Sequence, residues 1–405
     1  MPTPARRATS SSDASAPCST KTWRAAVMTC SRLRRASARS RGALSWLVTR
    51  YDDVRAILSD TDFSSDARRP GFPAMQPELR QLFDDPPFVR KDPPQHTLER
   101  RTLIQEFTVK RMKALRPGVQ ATVNALIDGL LRATPPVDLV EAFALPVPSL
   151  VISRLLGVPY ADHAFFESRT RTMLGRSTTP EQFSTATLEL FGYMNELIGT
   201  KQREPTDDLM GRLISTHMEP AGQLTRQTVL KMCTLLLQAG HETTANMIAL
   251  GTLALLQDRA LLTAVQADPE LLPPTIEEML RVFSIADLGP ARVATRDIEI
   301  GGTLIHAGDG VMPLLAAANA DPVAFSGPDV LDPRRDGRHH IAFGHGVHQC
   351  LGQNLARMEL EVVFSTLFER IPTLRLAVPV EDLPLKNDGA FGLYELPVTW
   401  HSADT

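Results

Sequence analysis

From Ser45 onward, apolar positions recur at helical spacing far more often than they alternate. In YDDVRAILSD, residues 51–60, Val54, Ile57 and Leu58 fall on one helical face. Helical patterns continue through 98–116, 119–133, 148–157, 227–257 and 274–284. Strand signals are short. SWLVTR (45–50) is β-rich, and RDIEIGGTLIHAGD (296–309) alternates around Gly301-Gly302, which predicts a hairpin. LRLAVPV and ELPVTW close the chain in the same style. The pattern predicts a mostly α chain with small peripheral β-sheets (α+β), folded as a single large unit over residues 46–405.

Segment 227–257 is apolar on nearly every face, so as a helix it belongs inside the molecule. Its centre, AGHETT (239–244), runs against packing alone: Gly costs roughly 1 kcal/mol relative to Ala in a helix, and buried polar groups need partners. Two readings stand. Gly240 lets something flat approach the backbone while a Thr hydroxyl bonds back and opens a groove, or the stretch is a polar kink without chemistry.

Composition narrows the function classes. With 43% apolar and 22% charged residues the chain can bury a large core, and a net charge of −3 offers no global attraction for nucleic acid or an anionic membrane. The longest apolar stretch is broken by Gln238, His241, Glu242 and Asn246, so no membrane span is expected. Cys18, Cys30, Cys233 and Cys350 are too sparse for a disulfide framework, which points to a reducing, cytoplasmic setting. Residues 1–45 differ from the rest, with eight Arg and one Lys against Asp13 alone. That composition suits a transit peptide, but no amphipathic stripe shows, which favours a basic, poorly ordered segment or a misread start.

HHIAFGHGVHQC, residues 339–350, gathers four of the ten histidines. The helical pattern that begins directly afterwards places Cys350 at or just before a helix N-terminus, where unpaired N–H groups and the helix dipole favour the thiolate. Gly344, Gly346 and Gly352 permit tight turns and close approach of a bulky planar ligand, and Phe343 is placed to cover the sulfur. These are the needs of a thiolate that offers one bond to a metal held by something other than side chains. A zinc site from His345, His348 and Cys350 lacks a fourth ligand. A catalytic cysteine with His348 as base is the other competitor, and a buried Cys among surface histidines leaves the glycines unexplained.

FGHGVHQCLGQNLAR resembles the haem-binding signature of the cytochrome P-450 family, with Phe343, Gly346, Cys350, Gly352 and Ala356 at the expected spacing. Glu278 and Arg281 in EEMLR, with Arg335, resemble the family's buried Glu-x-x-Arg network. AGHETT resembles its oxygen-binding groove, and DPPQHTLERR (92–101) and PARVATRDIEIGG resemble the two elements that grip the haem propionates. The fit runs from about residue 46 to the C-terminus and is nearest to the soluble bacterial members.

The resemblance implies a helical fold with a long central helix over haem b (iron protoporphyrin IX), bound non-covalently through the Cys350 thiolate. His96, Arg100, Arg292 and His348 would pair with the propionates. Glu242 and Thr243 would relay protons to dioxygen, while Glu278, Arg281 and Arg335 would only orient the Cys350 loop. His339, His340 and His345 become scaffold or surface. The implied activity is monooxygenation of an apolar organic molecule, by hydroxylation or epoxidation, of the kind used in secondary metabolism. Electrons would come from a ferredoxin and its reductase, to a monomer with no nucleic-acid or membrane partner. Lys110, Arg111, Lys113 and Arg116 are a candidate docking face for that carrier, or simply a solvated helix face. Substrate contacts are expected from 70–90, 165–190, the central helix and 284–291, where Ile285, Ala286, Leu288 and Ala291 suggest an apolar pocket. Three departures stand out: Gln238 one turn before His241, the basic pair Arg90-Lys91, and no visible pattern in residues 1–43 for the family's first helix and hairpin.

Overall fold

The computed structural model describes residues 34–37, 44–73, 85–174, 178–218, 222–286, 290–335, 337–386 and 390–401. Most of the basic segment 1–45 therefore lies outside the described residues. The helices are α1 (Tyr51–Ser59), α2 (Gln95–Ile104), α3 (Val109–Arg132), α4 (Pro146–Leu156), α5 (His163–Leu174) and α6 (Pro180–Arg203), then α7 (Leu209–Arg212), α8 (Arg226–Gln257), α9 (Arg259–Ala267), α10 (Leu272–Phe283), α11 (Leu315–Asn319) and α12 (Gln353–Arg370). The strands are β1 (Arg34–Ser37), β2 (Leu44–Val48), β3 (Phe63–Ser64), β4 (Val137–Asp138), β5 (Arg292–Ala294), β6 (Ile298–Ile300), β7 (Thr303–Ile305), β8 (Gly310–Pro313), β9 (Arg375–Leu376), β10 (Leu385–Lys386), β11 (Gly392–Leu393) and β12 (Pro397–Thr399).

The central helix α8 is 32 residues long and starts at Thr225, whose side chain accepts from the Thr228 amide. It packs on α4, α10 and α12, and α3 packs on α12, so one apolar core joins these helices. α3 departs from the sequence reading, which broke the pattern at Pro117. The break instead falls before Val109, where Thr108 caps the helix, and α3 runs on through Pro117. Pro117 and Lys113 are both exposed, so the carbonyl left unbonded by the missing N–H is on the solvent side.

The largest sheet has the order β1-β2-β8-β5-β3, with β2 and β8 parallel and the other pairs antiparallel. β1 supplies an outer strand that no apolar alternation announced. An edge strand is held by backbone bonds on one side, so Arg34–Ser37 can pair with Leu44–Leu47 without a hydrophobic pattern. β6 and β7 form the expected hairpin, with Gly301 and Gly302 at φ 56° and 76° in the two-residue turn. Among the described residues no single helix is long and apolar enough to cross a membrane.

Candidate functional site

Cys350 follows a short turn, Gly346–His348, and its amide donates to the Phe343 carbonyl at 2.8 Å. Gly346 adopts φ 71°, and a Cβ there would stand 2.3 Å from the Leu58 carbonyl oxygen, so glycine lets this loop sit on the end of α1. The Cys350 surface opens into a cavity of about 420 Å³ between the loop and α8. Burial pushes its thiol pKa up; the Gly352 and Gln353 amides at the start of α12, with Arg100 and Arg357, pull it down but do not prevail. The expected helix-terminus effect is present, yet desolvation outweighs it, and a positive charge at the sulfur is what would tip the group to thiolate.

Two ion-pair networks hold the loop from behind. Arg281 makes a fork to Glu278, Nε to Oε1 at 2.7 Å and Nη2 to Oε2 at 2.9 Å, and donates through Nη1 to the Asn319 and Pro328 carbonyls. Arg335 Nε adds a third bond to Glu278 at 3.1 Å. No sequence motif announces the second network. Arg357 grips Glu277 through Nε and Nη2, His340 reaches the same carboxylate at 3.0 Å, and the Glu277 pKa falls to about 2 because these partners overcome its burial. His340 is thus a structural link, and the Arg357 guanidinium also lies over Phe343, 4.6 Å from its ring centre. Asn319 joins the pieces: its side chain accepts from the Ile341 amide and donates to Ser284.

At one end of the cavity Arg90, Arg100, Arg292 and His348 line the wall. His96 is 1% exposed and lies against His348, ring centres 4.0 Å apart. Both ring nitrogens of His96 and Nδ1 of His348 lack hydrogen-bond partners. Burial, together with the neighbouring arginines, lowers the His96 pKa to about 4 and that of His348 to about 2. Burial also lowers Arg90 and Arg100, and Arg292 to about 10. A buried cationic cluster with orphaned donors is what a flat group bearing two carboxylates requires, so His96, Arg100, Arg292 and His348 fit the propionate edge of a haem. Among the described residues no three His, Cys, Asp or Glu side chains converge to hold a metal ion.

On the opposite wall Thr243 lines the cavity, its hydroxyl donating to the Ala239 carbonyl at 2.7 Å. Gly240 lines it too, and a Cβ there would lie 3.3 Å from Ile152, so this glycine also serves close packing of α8 on α4. Glu242 and Gln238 are not on this wall; the Glu242 carboxylate stands 3.6 Å from Lys386 of β10. Ile152, Leu235, Leu236, Met247, Ile285 and Ala286 complete an apolar lining, as the sequence suggested for 284–291. Ala291 is buried with Phe72 and Val293 instead, and Leu288 lies outside the described residues. No described residue of 165–190 lines the cavity; α5 packs on α6, and α6 also packs on α8. Lys91 belongs to a clasp with Asp85 and Glu99, at 2.7 and 2.5 Å. Lys110, Arg111, Lys113 and Arg116 are all exposed at the start of α3, with Arg116 paired to Glu361 at 2.9 Å.

Comparison with known proteins agrees with this geometry. Residues 176–394 match the family model described as Cytochrome P450. The chain is 47% identical over 361 residues to cytochrome P450 105A3 of Streptomyces carbophilus, spanning 89% of this chain and 88% of that protein. It is 48% identical to a pentalenic acid synthase of Streptomyces avermitilis, spanning 89% of each. The crystal structure of cytochrome P450 MoxA from Nonomuraea recticatena superposes with a TM-score of 0.87 at 48% identity, covering 95% of this chain and 96% of that one. With this identity sustained along nearly its whole length, the chain belongs to the cytochrome P450 family and is a monooxygenase of the oxidoreductase class.

Proposed function

We propose that the protein holds haem b through the Cys350 thiolate and inserts one atom of dioxygen into an apolar organic molecule, by hydroxylation or epoxidation, with electrons from a ferredoxin and its reductase. The observation that carries this reading is the cationic end of the cavity, where Arg100, Arg292 and His348 line one space with Cys350 and His96 lies against His348, with imidazole nitrogens of both rings left without partners. When bound, the haem supplies the dioxygen-activating redox chemistry, which an electron-donating thiolate favours.

The chain's own residues bind, orient and exclude water. Arg100 and Arg292 would neutralise the two propionates, and the ring N–H groups of His96 and His348 would complete their hydrogen bonds. Phe343 and Arg357 cover the Cys350 loop. The apolar wall keeps bulk water away and selects an apolar body. Thr243 passes a proton at Oγ1 into the cavity by turning from the Ala239 carbonyl. Glu242 stands behind it as the acid that refills the relay, swinging from Lys386. Lys110, Arg111, Lys113 and Arg116 form the proposed face for an acidic carrier in the cytoplasm.

The absorption spectrum of the reduced, carbon monoxide-treated protein tests the reading. A thiolate-ligated haem shifts the Soret band far to the red, and Cys350→Ala abolishes that shift. A histidine-type spectrum, or none, overturns it.

A further inference from the structure

The cationic end of the cavity carries one charge more than two propionates require. Arg100 donates to the Gln349 carbonyl at 2.5 Å and Arg292 to the Ala291 carbonyl at 3.0 Å, so both are oriented by the backbone. Lys91, next in the chain, is held by Asp85 and Glu99. Among the described residues Arg90 forms no ion pair or side-chain hydrogen bond; its guanidinium lies 5.5 Å from the Phe72 ring centre. Its backbone is fixed by the turn Phe88–Arg90, anchored by Phe88 at 2% exposure and by the bond from the Arg90 amide to the Pro87 carbonyl. Arg90 lines the same cavity, and its charge acts on Arg292 and His348. The carboxylate that acts on Arg292 and His96 from within the chain is Asp92, already engaged by the Ser64 hydroxyl and the Ser65 amide.

A partly desolvated cation beside two others is costly unless an anion joins it. The guanidinium fork suits a carboxylate, and stacking on Phe72 orders it before any ligand arrives. Beyond Arg90 the wall turns apolar along Ile152, Leu235, Leu236, Met247 and Ile285. We propose that Arg90 anchors the carboxylate of an anionic amphipathic substrate whose apolar body extends along α8 toward the Cys350 side of the cavity. This rests on the monooxygenase reading above and narrows it to substrate class.

The experiment is an optical titration of the holoenzyme at pH 7.5, following the haem spin-state shift. Three carboxylate and methyl-ester pairs serve as probes: dodecanoate, abietate and 4-butylbenzoate. The parent protein should bind at least one acid about tenfold more tightly than its ester, roughly 1.4 kcal/mol. Arg90→Gln should bring that ratio within about twofold, leaving ester affinity, haem content and the carbon monoxide spectrum unchanged, and Arg90→Lys should restore part of the preference. A parent with no acid-over-ester preference across all three pairs overturns the proposal. So does an Arg90→Gln variant that loses haem faster while keeping its acid preference, which makes Arg90 a third propionate partner. Absence of the thiolate spectrum in the parent is a separate result and strikes the monooxygenase reading instead.

Discussion

His96 and His348 lie ring against ring, 4.0 Å between centres, and neither finds a protein acceptor for its free nitrogens. Two adjacent imidazoles without acceptors are stable only as neutral rings or beside anions. The His96 pKa falls from the ordinary 6.5 to about 4 in the folded chain, mainly through burial. The unfolded chain then binds more protons between these values, so this group makes stability decline as pH drops from about 6.5 toward about 4. Urea titrations of haem-free protein across that range should show the decline, and His96→Gln should reduce it, leaving the part that His348 contributes through its own lowered pKa. Haem should flatten it too, since propionates favour the charged ring.

Glu278 is fully buried and Arg281 is 1% exposed, so each depends on the other to remain charged. Arg281→Met should lower stability by about 3–5 kcal/mol, because it strands a buried carboxylate. Arg281→Lys cannot reproduce the fork and should fail similarly. Denaturant midpoints measure both, and a loss below 1 kcal/mol contradicts the role given to the pair.

Gly346→Ala places a methyl group against the Leu58 carbonyl in a left-handed backbone conformation. A cost of about 2–4 kcal/mol is expected from strain and overlap together. Because the affected loop presents Cys350, thermal melting and the carbon monoxide spectrum should deteriorate together.

Glu359 of α12 is 2% exposed, lines the cavity and leaves Oε2 without a partner; burial alone raises its pKa to about 8. It is uncharged in the folded protein at neutral pH, whereas the unfolded chain ionises near 4.5. The folded state therefore holds the extra proton, and stability should fall as pH rises from about 4.5 through about 8. Glu359→Gln should remove that fall and stabilise the protein at pH 8 by on the order of a few kcal/mol, read from melting curves at several pH values.

Thr243→Ala removes the hydroxyl facing the cavity but leaves its apolar walls unchanged. Substrate binding should persist, while product per electron falls and hydrogen peroxide rises severalfold. Coupling equal to the parent's removes Thr243 from the proton relay. Lys386→Met should weaken the hold on Glu242 and shift the pH dependence of coupling without changing substrate affinity.

Local chemistry was legible wherever one short segment contains both cause and effect. The Gly301-Gly302 turn, the Cys350 loop between its glycines and the helix behind it, and the fully apolar α8 each follow from spacing and conformational preference within about thirty residues. The Glu278–Arg281 fork is of this kind too, lying within one turn of α10. Arg335 was legible only through the family resemblance, and Asn319 and the pairing of Glu277 with His340 and Arg357 were not, since their partners are brought together by packing across 22 to 80 positions. The same holds for Arg90 and Glu359. In the sequence they are a basic residue before DPP and one polar position in an apolar stripe. Only the closed tertiary structure makes Arg90 a partly desolvated cation and Glu359 a buried, protonated acid, because desolvation depends on what surrounds a group in space and not on its neighbours along the chain.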